Sequence, residues 1–120
     1  MPYVDGFIVA VPKKNLAAYA TLSKKCGKIW REYGALDYRE WVADDVKVGK
    51  LTSFPRSVKM KPGETVVFAW ITYKSRAQRD RINAKVMADP RLASMMGPNG
   101  KPPFDGKRMI YGGFESLVKA

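Results

Sequence analysis

From Tyr3 to Val11 the chain runs almost unbroken through β-favouring apolar residues and is closed by Pro12, the mark of a buried strand. The period then changes. Between Lys14 and Tyr33, Leu16, Tyr19, Ala20, Ile29, Trp30 and Tyr33 recur at three- and four-residue steps, and Leu22 and Cys26 extend the stripe. This predicts an amphipathic helix that Gly34 would end in a left-handed conformation. Gly27 inside it costs about 1 kcal/mol against alanine, so close packing or a slight bend is expected there. Leu36 to Val42 alternates and reads as a second strand, and the polar run Asp44 to Gly63, rich in lysine, proline and glycine, as a long connection. Glu64 to Tyr73 contains Val66-Val67-Phe68-Ala69-Trp70-Ile71, the strongest strand signal in the chain. Ser75 to Ala88 is a second helix, opened by a Ser75/Gln78 capping box. Asp89-Pro90 ends it or opens a short extra turn through Met96. Gly97 to Gly106 reads as a proline-bearing loop, and Arg108 to Phe114 as the last strand.

Strand, helix, strand, repeated once, is most simply a ferredoxin-like βαββαβ fold. It is an α+β domain with a four-stranded antiparallel sheet and both helices on one face. One such domain over residues 1–120 is expected. Val67, Ala69 and Ile71 point one way from the third strand, and Val66, Phe68 and Trp70 the other. With the helices on the face of small and aliphatic residues, Phe7, Val9, Phe68 and Trp70 would share the uncovered one. An open antiparallel sheet is normally polar there. An apolar face of that kind marks an interface, and a second copy packed against it in a twofold homodimer is the simplest cover.

Composition changes this picture in two places. The 120 residues carry a formal net charge of +11, which favours encounters with nucleic acid or other polyanions but says nothing about fold. The lysines and arginines are dispersed, with no basic tail. The chain also has no histidine and a single cysteine. That removes histidine-based acid–base chemistry, histidine-ligated haem, the commonest zinc sites and any internal disulfide, and the reading implies no cofactor and no metal. Met1-Pro2-Tyr3-Val4-Asp5 is not the start of a signal peptide and no run is long enough to span a bilayer, so a cytoplasmic protein is expected.

Five stretches carry a resemblance: Tyr3-Val4-Asp5-Gly6-Phe7, Tyr33-Gly34-Ala35-Leu36, Phe54-Pro55-Arg56, Val86-Met87-Ala88-Asp89-Pro90 and the long run from Pro103 to Phe114. Together they resemble the YbaA-like bacterial proteins, a family of unknown function within the dimeric alpha-beta barrel superfamily. The resemblance spans nearly the whole chain. It implies a ferredoxin-like protomer and a dimer whose sheets enclose a central space, and it transfers no activity. Phe68 to Tyr73 is also similar to the end of the third-strand signature of RNA-recognition motifs, but Val66 and Val67 replace the basic residue and glycine expected there.

Among residues able to carry chemistry, Asp5 stands out as a carboxylate on an apolar strand, two residues before Phe7. It is expected to be at least half buried, with Arg56 or Arg108 as partner. Burial would raise its pKa and make it a candidate general base; an ion pair would make it structural. Phe7, Trp41, Arg56, Phe68, Trp70 and Arg108 are the candidate ligand-binding residues. Cys26 lies in the helix stripe and reads as core rather than nucleophile. Gly112-Gly113 permits close packing or a bulge, and Asp105 is a turn residue. Two functions follow. One is small-molecule binding or cofactor-independent catalysis in a cavity at the sheet face. The other is weak, salt-dependent binding of RNA or another polyanion, with Arg76, Arg79 and Arg81 the densest cluster.

Overall fold

The computed structural model describes residues 1–95 and 102–120. Four strands, β1 (Tyr3–Pro12), β2 (Asp37–Val42), β3 (Glu64–Tyr73) and β4 (Ile110–Glu115), form one sheet in the order β2-β3-β1-β4, with every neighbouring pair antiparallel. Helix α1 (Leu16–Glu32) follows β1 and α3 (Arg76–Ala88) follows β3. Two short helices, α2 (Phe54–Ser57) and α4 (Pro90–Ser94), lie in the connections. This is the ferredoxin-like arrangement.

Local chemistry sets the boundaries. Gly34 adopts φ +114° just past α1, which a side chain would resist. At the start of α3 the Ser75 hydroxyl accepts from the Gln78 backbone N–H at 3.1 Å, and the Gln78 amide oxygen accepts from the N–H of Lys74, one residue earlier than the capping box predicts. Asp89 caps α4 by accepting from the Arg91 N–H at 2.8 Å. The last strand begins two residues later than the sequence suggests. Arg108 is turned back to Glu64, Asp105 and the carbonyl of Lys59, and these contacts hold its segment outside the ladder.

The register decides which face each side chain occupies. Asp5 lies opposite Ile71, Phe7 opposite Ala69 and Val9 opposite Val67, and directly opposed residues share a face. That face is the one the helices cover: Val9, Val11 and Val67 pack with Tyr19, and Ile71 and Tyr73 with Ile29, Ile82 and Val86. The expectation that Phe7 and Val9 join Phe68 and Trp70 on the uncovered face is therefore corrected. Phe68 pairs with Ile8 and Trp41, and Trp70 with Gly6 and Arg39.

Two glycines let aromatic side chains into the layer between sheet and helices. A Cβ on Gly27 of α1 would sit 2.6 Å from the Tyr38 ring, so the helix lies directly on that tyrosine. A Cβ on Gly113 of β4 would collide with the Tyr3 hydroxyl and the Arg79 guanidinium, which lie over the bare strand. Close packing, one of the two readings left open for each, is what both glycines serve.

Candidate functional site

Between the helix-covered face and its helices lies a cavity of about 580 Å³. Its floor is two rows of the sheet: Gly113, Asp5, Ile71 and Tyr38, then Tyr111, Phe7, Ala69 and Glu40. Tyr19, Ser23, Cys26 and Trp30 of α1 and Arg79, Asn83 and Met87 of α3 supply the roof, with Met95, Phe104 and Met109 around the rim. The rim is tethered. Asn15 donates to the Pro103 carbonyl at 3.1 Å, Phe104 meets Tyr19 edge-on at 5.5 Å, and Tyr33 donates to Asp89 at 2.7 Å beside α4.

The lining is mostly apolar, with its polar groups gathered at two stations. At the first, Asp5 is buried, 7% exposed, and Arg79 Nε lies 3.2 Å from one of its oxygens. The Tyr73 hydroxyl donates to the other at 3.1 Å. Arg79 also donates to the Tyr3 hydroxyl at 3.0 Å and stacks over that ring. Asp5 thus has the basic partner expected of it, but the partner is Arg79 rather than Arg56 or Arg108, and the face is that of the helices. The contact with Arg79 is an ion-pair distance without a directed hydrogen bond, and the hydrogen bond to the Asp5 carboxylate comes from Tyr73.

At the second station stands Glu40, a residue the sequence reading did not single out. Alternation along β2 puts it on the same face as Tyr38, two strands from Asp5 and one pair along, roughly 10–12 Å between backbones. Tyr19 and Tyr38 both donate to its carboxylate, the latter at 3.3 Å, and Ser23 lies 3.2 Å from the Tyr38 hydroxyl. Among the described residues no lysine or arginine forms an ion pair with it. Burial pushes its pKa above the ordinary glutamate value, only partly opposed by the two tyrosine hydrogen bonds. Burial, reinforced by the nearby carboxylate, likewise raises Tyr19, Tyr38 and Cys26, which keeps the phenols as donors and the thiol protonated.

The other sequence candidates are dispersed. Phe7 lines the cavity and Trp70 borders it. Trp41, Phe68 and Trp70 form an aromatic cluster on the opposite face, where Phe54 packs on Phe68 around a shallower hollow of about 390 Å³. Arg56 is spent on the carbonyls of Val48 and Gly49, and Arg108 on Glu64 and Asp105; neither lines the cavity. Of the three arginines read as a polyanion cluster, Arg76 and Arg81 are exposed while Arg79 faces Asp5. Among the described residues no group of three or more cysteine, aspartate and glutamate side chains is placed to hold a metal ion.

A family described as a protein of unknown function, DUF1428, matches residues 2–106. The chain belongs to this DUF1428 family. It is 48% identical over 118 residues to the uncharacterized protein YbaA of Escherichia coli K12, covering 98% of each chain. Among solved structures it resembles an uncharacterized NIPSNAP domain protein from Burkholderia xenovorans, with a TM-score of 0.64 at 16% identity over 98% of this chain and 97% of that one. It also resembles a dimeric ferredoxin-like protein from an uncultured marine organism, with a TM-score of 0.53 at 13% identity over 98% and 96%. At such identities these structures establish the fold of this DUF1428 chain. Among its described residues no helix is long and apolar enough to cross a membrane.

Proposed function

We propose that the protein binds a small, uncharged, largely apolar organic molecule between its sheet and its helices. The observation that carries this reading is the cavity itself: about 580 Å³, aromatic and aliphatic on most sides, with its carboxylates at two places, Asp5 beside Arg79 and Glu40 among tyrosines. That volume lies within the range of sites for drug-sized ligands, and such sites combine an apolar lining with a few converging polar groups. The methionine methyls provide a direct test. Titrating 2-naphthol into protein carrying ¹³C-methyl methionine is expected to move the resonances of Met87, Met95 and Met109, which line the cavity. Met60, packed against Val58 and Val66 on the other face, should stay in place. Shifts at Met60 alone, or at no methionine, would overturn the reading.

The exposed aromatic face supports a second element of the proposal, a homodimer through the sheet. Trp41 and Phe68 are 44% and 39% exposed, and Phe114 and Ile110 continue the patch across β4. Phe68→Arg sets an unpaired charge in that interface and is expected to give monomers in sedimentation. A monomeric wild type, or an unaltered dimer in the variant, would refute the assignment.

A further inference from the structure

We infer that Glu40 is the base of a cofactor-independent enolisation site whose substrates are small, neutral, largely apolar ketones. This rests on the cavity reading above and adds chemistry to it.

Three observations lead there. The first is position. Glu40 projects into the cavity from the sheet floor with no ion pair to a lysine or arginine among the described residues, while the other carboxylate, Asp5, lies against Arg79 and accepts from Tyr73. Two carboxylates in one cavity with opposite environments divide naturally into an anchored anion and a proton acceptor. The second is what surrounds Glu40. From α1 it is faced by Tyr19, Ser23 and Cys26, along its own strand by Tyr38, and across the cavity by Asp5 of β1 and Arg79 of α3. Burial holds it above the ordinary carboxylate range, so it is a stronger base than a solvated glutamate. The third is the donors. Tyr38 makes only a long bond to Glu40, at 3.3 Å, and lies beside Ser23, so with its ring held under Gly27 its hydroxyl hydrogen can still swing to a substrate oxygen. Its hydroxyl stays protonated.

These parts fit neutral substrates. An anion would be repelled by Glu40, and a cation would quench it as an ion pair. Cys26, held as the thiol, is not an activated nucleophile. Proton transfer is the chemistry these groups offer. A Glu40 oxygen takes a proton from the carbon next to the carbonyl. The freed electron pair forms the C=C bond, the carbonyl π pair moves to oxygen, and Tyr38 donates a hydrogen bond to that oxygen. The proton on Glu40 exchanges with solvent, and Glu40 then delivers a solvent-derived proton to carbon, or returns the original one in turnovers that leave no label. The cycle consumes no oxidant, reductant or second substrate.

The experiment uses 2-tetralone in D₂O, following loss of its C1 proton signals by NMR. Saturable exchange above the buffer rate is expected, rising with pH to a plateau as Glu40 deprotonates. Glu40→Gln, which keeps the shape of the side chain, should lower the protein-catalysed rate at least about 100-fold. Tyr38→Phe should lower it about tenfold or more. The methyls of Met87 and Met109 report binding in the same samples, and 2-naphthol should block exchange. Thermal melts verify that each variant is folded. Binding without exchange in the wild type, or wild-type exchange in a folded Glu40→Gln that still binds, overturns this inference and leaves the cavity reading standing. Absence of any methyl shift overturns both.

Discussion

Arg108→Ala is expected to destabilise the fold by about 3 kcal/mol, the lower end of the range for breaking a buried ion pair, and to lower Tm by about 10 °C. Arg108 reaches both oxygens of Glu64, at 2.8 and 2.6 Å, while donating to Asp105 at 3.0 Å and to the Lys59 carbonyl at 2.9 Å. One guanidinium therefore joins the start of β3, the segment after α2 and the approach to β4. Removing it leaves the Glu64 carboxylate, 8% exposed, without its cation. The hydrogen bonds from Arg108 hold the Glu64 pKa below its ordinary value of 4.5. A carboxylate depressed by folding contributes its stability above the ordinary value and loses it as pH falls through the lowered one. The gap between wild type and variant, measured by urea titration, should accordingly be full at pH 7 and narrow in strong acid. A gap that does not change with pH would show that the lost contacts are not ionic.

Asp5→Asn is the second large effect, about 2–3 kcal/mol of lost stability. The amide keeps the shape and can still accept from Tyr73, but Arg79 then sits against a neutral group on a mostly buried surface. Because Asp5 is assigned a structural role, exchange of 2-tetralone in the folded variant should fall by no more than a few-fold. A stable Asp5→Asn that has lost all exchange would reverse the roles assigned to the two carboxylates. Chemical denaturation and the exchange assay on the same preparation measure both quantities.

These two residues also show what the sequence discloses. The order of elements is legible because each has its own period and stops: Pro12 after β1, Gly34 after α1, Ser75 before α3. Sheet order then follows from connection rules. Register is another matter. In β1 the residues on both sides are apolar, Phe7 and Val9 against Ile8 and Ala10, so alternation there carries no label for the covered face. Only the ladder, with Phe7 opposite Ala69, separates Phe7 from Phe68. Asp5 crosses to the helix side with it, and the arginine that meets Asp5 comes from the helix above rather than from Arg56 or Arg108. Glu40 escapes notice for a related reason. Between Arg39 and Trp41 it reads as an ordinary polar residue of an edge strand. Its signal is the step of two from Tyr38, which becomes informative once Gly27 is seen to receive the Tyr38 ring.

The order β2-β3-β1-β4 divides the two polar stations between unequal supports. Asp5 rides on β1, which is hydrogen-bonded on both sides and shares the centre of the sheet with β3. Glu40 rides on β2, whose outer edge pairs with nothing among the described strands. The amide protons of β1 and β3 should therefore outlast the outward-facing ones of β2 in hydrogen exchange by orders of magnitude. For protein engineering the division is useful. The interior strands carry the frame, so substitutions can be tried at position 40 of the rim strand as long as Tyr38, on which α1 lies, is kept.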